Sequence, residues 1–412
     1  MRTLRTVSHA LGGLGTTLST IAAIHTAYVA VLGIAGTRRV PRAPTRCGAP
    51  STTFTVLMPA HDEAGGIDRA LRSWESIDYP RTMFDVHVVA DNCSDHTAEI
   101  VRRHGFEAHE RVVPDAPGKG PALNWLFDRL DRTGRIADVV VVVDADTDVD
   151  PEFLAALDGA FRTEATQVAQ GFYTVRDPAV SPAVSFRYAA LACRHHVRSL
   201  GRRRLGGSCG LYGNGMAFRS ELLRGRRWSN HLVEDAEFQL ELLLDGVIVE
   251  YVSAAVVSAE MPEDLDRAET QQQRWERGRL EVARRSLPRL AAAWRSPPAP
   301  RVTLVDAAFD LVLPPLSVLV AAHGIAAALS LPDAAIGRTA GRRTVLVSTA
   351  CIAAVIAHAV GGLVAVGAPG SHYRSLLTAP RTVFWKTALW ARSALPGGAT
   401  EWVRTRRTGE TT

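Results

Sequence analysis

The stretch VVVVVDADTDVD, Val139–Asp150, carries five consecutive valines directly into four aspartates spaced two apart. The valines are β-branched and uninterrupted by charge, as in a strand buried on both faces. The aspartates repel one another unless something positive lies among them. A solvated turn, a calcium loop and a cation site serving a ligand would each account for such a cluster. A calcium loop of EF-hand type counted from Asp144 needs Gly at its sixth position and Glu at its twelfth, where this chain has Val149 and Ala155. Asp148 and Asp150 suit a turn, because Asp150-Pro151 followed by EFLAAL is a good helix start. Asp144 and Asp146 stand at the strand mouth, where one or two carboxylates can hold Mg2+ or Mn2+ together with phosphate oxygens.

Two more runs upstream have the same character. Phe54–Met58 (FTVLM) and Val86–Ala90 (VHVVA) read as buried strands, and amphipathic segments follow at Gly66–Ser76, Ser94–His104 and Lys119–Leu130. Strand followed by helix, repeated, predicts an α/β fold with a largely parallel sheet covered on both faces. Ligands of such sheets bind at the carboxyl ends of the strands. Here those ends open into PAHDEAGG, DNCSD and DADTDVD, all rich in acids and turn formers. The turn PGKG (Pro117–Gly120) is not a P-loop: residue 113 is Val where Gly is required, and Gly120 follows the lysine where Ser or Thr should. Lys119 reads either as a phosphate contact or as a surface charge at a helix start. GGSCGLYGNG lies outside any opening βαβ unit, so it is no dinucleotide fingerprint. No Cys/His metal spacing, H-E-x-x-H or G-x-S-x-G motif is present.

Three charge-free runs, Ala10–Gly36, Leu311–Leu331 and Thr344–Tyr373, reach the roughly 20 residues that cross a bilayer core. The first follows Arg2 and Arg5 but far exceeds the apolar core of a signal peptide, about 7–15 residues. It reads as an uncleaved anchor. Membrane-spanning helices are therefore expected at 10–36, 303–331 and 344–370, an interfacial helix and linker at 282–300, and a basic cytoplasmic tail at 374–412. Arginines cluster after the first span (38, 39, 42, 46) and before the second (284, 285, 289, 295, 301), which places the middle region in the cytoplasm. Arg338, Arg342 and Arg343, between the second and third spans, run against this orientation. Five cysteines without a CxxC pair suit a reducing compartment. The net charge of +5 comes largely from these membrane-proximal arginines, and no nucleic-acid motif accompanies it.

From Phe54 to Arg279 the order of segments resembles the membrane-anchored family 2 glycosyltransferases, the branch related to cellulose, hyaluronan and poly-N-acetylglucosamine synthases. The resemblance implies a GT-A (Rossmann-like) domain over residues 50–281, a nucleotide-sugar donor with UDP as its nucleotide, and a divalent Mg2+ or Mn2+ cofactor. It places Glu63 of MPAHDEAGG near the uridine and Asp91 of VVADNCSD against the base. Asp144 and Asp146 match the D-x-D motif, with Asp146 the more direct metal ligand and Asp144 also facing the donor. Glu234-Asp235 match the acidic pair that supplies the catalytic base. Gln271, Arg274 and Trp275 match Q-x-x-R-W, whose implied partners are the diphosphate and the acceptor.

These roles are physically consistent. Positive charge stabilises a departing diphosphate, an arginine fork fits its oxygens, and an indole face suits a sugar ring. A carboxylate can take the proton of an acceptor hydroxyl, and direct displacement inverts the anomeric carbon. The bland readings are that Glu234-Asp235 are first-turn acids favoured by a helix dipole, that Asp91 caps the next helix, and that Arg274-Trp275 anchor an interface. The expected activity is inverting transfer of a sugar, from a UDP-sugar, to a lipid-linked or saccharide acceptor at the cytoplasmic membrane face. Three spans are few for a channel around a polymer, which favours this over a processive, exporting synthase. A sugar nucleotidylyltransferase has no use for Q-x-x-R-W, and the intact acids and arginine oppose a non-catalytic nucleotide-sugar-binding protein.

Overall fold

The chain's first helix, α1 (Arg2–Thr37), is followed by β1 (Phe54–Ala60), α2 (Ile67–Glu75), β2 (Phe84–Asp91), α3 (Thr97–Arg103), β3 (Glu107–Arg111) and α4 (Lys119–Arg132). Next come β4 (Val139–Val142), β5 (Thr147–Val149), α5 (Phe153–Phe161), β6 (Val168–Val175), α6 (Pro182–Leu191), a π-helical turn (Ala192–Val197) and α7 (Arg198–Arg204). The α/β part ends with β7 (Met216–Arg219), α8 (Ser220–Leu223), α9 (Glu234–Leu244), β8 (Val249–Ala259) and α10 (Leu265–Ala293). Among the described residues five α-helices follow: α11 (Arg301–Val312), α12 (Leu316–Ala335), α13 (Thr339–Ala365), α14 (Gly370–Ser375) and α15 (Ala379–Ser393). The structure is a computed structural model and describes residues 2–37, 48–231, 233–263 and 265–393.

Among the described residues eight strands form one sheet in the order β3-β2-β1-β4-β7-β6-β8-β5. Strands β3, β2, β1 and β4 run parallel, β7 runs against β4 and β6, β6 and β8 are parallel, and β5 is antiparallel to β8. The sheet is thus mixed, with its parallel half formed by the three strands expected from sequence plus β3. Val139, Val141 and Val143 enter the core shared with α2 and α5, whereas Val140 and Val142 enter the core shared with α4 and α9. All five valines are 0% exposed. Each such burial contributes about 1.5–3 kcal/mol, which fixes the strand's end, and hence the aspartates, at one place in the fold.

The structure departs from the expected elements in four places. Asp148 is no turn residue: it lies in β5 opposite Ser258 and accepts from Arg69 Nε at 2.9 Å and Arg176 Nη2 at 2.7 Å. Asp150 does act locally, its Oδ1 accepting from the Glu152 amide at 2.9 Å just ahead of α5. Residues 282–293 are not a separate interfacial helix but continue α10, with Val282, Ala283 and Leu290 packed on Leu240, Leu243 and Leu304. The expected 303–331 span divides into α11 and α12 at Leu313–Pro315, where consecutive prolines withhold the amides a helix needs. The C-terminal stretch is helical through Ser393, and residues 394–412 of the expected tail lie outside the described residues.

Among the described residues three helices are long and apolar enough to cross a membrane: Ser8–Thr37, Leu316–Ala335 and Thr339–Ala365. They pack together through small and hydroxyl residues, with Thr16–Thr344 and Ser19–Ser348 hydroxyl pairs at 2.9 Å and Thr26–His323 at 3.1 Å. Between this bundle and the sheet, buried Arg202 engages Asp306 and Asp310 of α11 and donates to the Tyr28 hydroxyl of α1 at 3.1 Å. Helices α1 and α7 approach closely at Gly201, where a β-carbon would fall 2.3 Å from the Leu32 carbonyl oxygen. Gly201→Ala is therefore expected to destabilise the protein by about 1–3 kcal/mol, as overpacking does, and to lower its thermal midpoint in detergent. Gly159→Ala in α5, with nothing within 4 Å, is the control expected to leave it unchanged or slightly raised.

Candidate active site

The carboxyl ends of β1, β2 and β4 open on one rim of the sheet, and the loop before β7 crosses it. Lys119, the first residue of α4, is half-buried there instead of lying on the surface. Its ammonium donates to Asp144 Oδ1 and to the Gly213 carbonyl, each at 2.5 Å. A β-carbon at Gly213 would lie 3.4 Å from Asp235 Oδ2 and 3.5 Å from Lys119 Nζ. Gly213 adopts φ +77°, a left-handed conformation that glycine takes at no steric cost. The D-x-D strand end, Lys119 and the Glu234-Asp235 pair at the start of α9 thus converge.

Electrostatics reflect this crowding. Burial alone would lower the Lys119 pKa, but the surrounding Asp144, Glu234 and Asp235 raise it. Burial pushes the Asp144 carboxyl up, with Lys119 opposing and Asp146 adding to the rise. Burial likewise raises Asp235, while Lys119 and Arg194 pull it down. Asp235 Oδ1 accepts the Ala236 amide at 2.9 Å.

Asp146 is half-buried two residues beyond Asp144, and its backbone carbonyl accepts from Arg176 Nη2 at 2.8 Å. Among the described residues, no third histidine, cysteine or carboxylate closes on Asp144 and Asp146 to form an all-protein metal cage. Two hard oxygen donors at an accessible rim fit Mg2+ or Mn2+, which keep several positions for water and substrate phosphate. Asp144 accepts from Lys119, and Asp146 Oδ1 accepts from its neighbour Thr147 Oγ1 at 3.3 Å.

Two further sequence candidates, Glu63 and Asp91, follow or end the strands β1 and β2 at the same rim. Glu63, in the loop after β1, donates its amide N–H to Thr97 Oγ1 at 2.8 Å. Asp91, at the end of β2, is tied up: Arg111 of β3 donates to Oδ1, and the Gly118 amide reaches Oδ2 at 3.3 Å. That pair is buried, with side-chain exposures of 5% and 6%. Gln271 and Arg274 fall on α10, with their side chains outside the described residues; Trp275, one position on, is half-buried. The same helix is fixed at both flanks. Lys386 of α15 binds Glu276 at 2.9 Å and also Gln272, and Arg279 donates to the Asp310 carbonyl at 3.2 Å.

Three contributors were not legible in sequence. Asn214 is fully buried and links the rim, accepting the Asp144 amide at 3.3 Å and donating to Thr147 Oγ1 at 2.7 Å. Its signal is an asparagine between two glycines, YGNG. Arg111 belongs to a polar edge strand without a buried-run signature. Arg194, exposed on the π-helical turn, has its charge felt at Asp235; such turns recur at functional sites, but sequence gives no mark of one.

Comparison with known proteins bears on the family and the fold. Residues 50–278 match the family described as "Glycosyltransferase like family 2". The chain is 27% identical over 235 residues to the probable glycosyltransferase YdaM of Bacillus subtilis (strain 168), covering 54% of each. It therefore spans about half the length of that curated relative. Among solved structures, the mannosyltransferase PcManGT from Pyrobaculum calidifontis, in complex with GDP-Man and Mn2+, aligns with a TM-score of 0.52 at 19% identity, over 87% of this chain and 99% of that one. At that identity the likeness shows a shared fold.

The Asp91–Arg111 pair yields a prediction of its own. Removing one partner of a buried ion pair costs about 3–5 kcal/mol. Arg111→Ala is expected to lower the free energy of unfolding by that amount and to weaken nucleotide binding through release of Asp91 and the Gly118 loop. Equilibrium unfolding and nucleotide titration of the same preparation check both.

Proposed function

The chain belongs to the glycosyltransferase-like family 2, and on that premise we propose that it is an inverting enzyme moving a sugar from a UDP-sugar to a lipid-linked or saccharide hydroxyl at the cytoplasmic membrane face. The observation that carries this reading is the convergence of Asp144, Lys119, Gly213 and Asp235 at the carboxyl ends of the sheet. Asp235 is the base: it takes the proton from the acceptor hydroxyl as that oxygen attacks the anomeric carbon, and Glu234 adds to the local negative potential. Glu63 and Asp91 border the nucleotide. Lys119 holds Asp144 in place and lies beside the phosphates. Asp146 with Asp144 would hold Mg2+ or Mn2+, which supplies positive charge against the departing diphosphate. Gln271 and Arg274 contact that diphosphate, and Trp275 packs on the acceptor sugar.

The membrane frame supports an acceptor presented from the bilayer. Helix α10, carrying the Q-x-x-R-W residues, is bonded to α11 through Arg279 and to α15 through Glu276. An acceptor held by lipid meets the rim without a separate carrier. Transfer of one or few sugars follows from three candidate spans. The orientation of the α/β domain toward the cytoplasm rests on the arginines flanking the spans.

With a panel of UDP- and GDP-sugars in membranes, Mn2+-dependent release of the nucleoside diphosphate is expected with a UDP-sugar. Asp146→Ala and Asp235→Asn are each expected to reduce it at least about a hundredfold, the scale of losing a general base or a charge stabiliser. Wild-type turnover in both variants contradicts the assignment, and long polymer from the purified protein contradicts the limited transfer. Asp235 acts deprotonated and burial raises its pKa, so the rate is full above that raised value and falls as pH is lowered through it. Asp144, Lys119, Glu234 and Arg194 are the charged groups that modulate this profile.

A further inference from the structure

A second cluster of metal-ligating side chains lies on the opposite edge of the parallel half-sheet. His87 of β2 and Glu107 and His109 of β3 project from one face, because His87 pairs in register with Glu107 and Val89 with His109. His87 Nδ1 and His109 Nε2 are 3.2 Å apart. Glu107 Oε2 lies 3.6 Å from each of those nitrogens. A hydrogen bond between the imidazoles accounts for the first distance alone. The carboxylate oxygen is equidistant from both nitrogens and too far for a good hydrogen bond to either.

All three distances are those of ligands around one small cation. Zinc binds imidazole nitrogen at about 2.0–2.1 Å and carboxylate oxygen at about 2.0–2.2 Å, which puts tetrahedral ligand atoms about 3.3–3.4 Å apart. A point about 2.0 Å from all three atoms exists inside the triangle they form. The ligand set, two imidazoles and a carboxylate, also selects a transition metal over Mg2+ or Ca2+. Outside it, Arg135 donates to Glu107 Oε2 at 2.9 Å and also to Oε1, fixing the carboxylate as outer-shell partners of metal sites do.

We propose that His87, Glu107 and His109 form a zinc-class metal site that clamps the edge strand β3 to β2. Strand β3 is five residues long and mostly polar, EAHER, with only Arg111 buried. It nonetheless supplies that arginine to Asp91 at the rim. His87 precedes Asp91 by four residues, or about 13 Å along the strand, so the clamp is separate from the D-x-D site. Metal bound through Nδ1 leaves the proton on His87 Nε2, which has no hydrogen-bond partner. An unsatisfied outer shell costs about 10–100-fold in affinity, so the site is expected to bind in the micromolar range and not more tightly.

The test uses the untagged full-length protein in detergent, stripped with chelator and titrated with Zn2+ against a chromophoric competitor, with Co2+ as a spectroscopic probe. One micromolar site is expected in the wild type, with d–d absorption of a tetrahedral Co2+ complex, and Zn2+ is expected to raise the thermal midpoint. His109→Gln and Glu107→Gln, both on the edge strand, are each expected to weaken Zn2+ binding at least tenfold and to abolish the thermal shift, while keeping wild-type circular dichroism. Asp146→Ala is expected to retain the site. Equal Zn2+ affinity and stoichiometry in wild type, His109→Gln and Glu107→Gln would overturn the proposal, as would loss of the site in Asp146→Ala.

Discussion

The ion pair between Lys119 and Asp144 is the contact on which the rim depends. One ammonium gathers the end of β4, the start of α4 and the carbonyl of Gly213. Without it Asp144, Asp146, Glu234 and Asp235 would concentrate negative charge at a partly desolvated place, a cost that rises steeply as the local dielectric falls. The lysine compensates that charge chiefly at Asp144, which it engages directly, while its field also reaches Asp235.

The second constraint is mechanical. Helix α10, on which Gln271, Arg274 and Trp275 fall, is tied on two flanks, by Arg279 to the end of α11 and by Glu276 to Lys386 of α15. Arg202, with Asp306, Asp310 and Tyr28, joins α7, α11 and α1 below it. These are buried, charge-assisted contacts, whose geometry is dear to distort. Helices that follow the α/β domain are therefore bonded directly to the helix that carries the Q-x-x-R-W residues.

Much of the parallel half-sheet was legible because β1, β2 and β4 are short runs rich in buried apolar residues, and such runs have few other places in a fold. The rest was hidden for definite reasons. Strand β3 sits at an edge and needs no apolar pattern. Strand β5 lies among aspartates, and its Asp148 is tolerated in a strand because Arg69 and Arg176 neutralise it. The change from polar to apolar composition near Val282 marks a change in what α10 packs against, not a break in the helix. At the site, motif residues marked the candidates, but their convergence comes from topology. Asn214 and Arg111 act through hydrogen bonds to the chain around Asp144 and Asp91, and such contacts leave no periodic trace in sequence.

The division of labour between Asp146 and Asp235 is tested most directly by measuring donor binding in the presence of Mn2+ apart from transfer. Calorimetric titration of UDP and the UDP-sugar into Asp235→Asn should give near wild-type affinity, because the base meets the acceptor and not the donor. The same titration into Asp146→Ala should show Mn2+-dependent affinity lost. Intact metal-dependent binding in Asp146→Ala, or its loss in Asp235→Asn, would contradict the assignment of metal and base to the two sides of the Lys119–Asp144 pair.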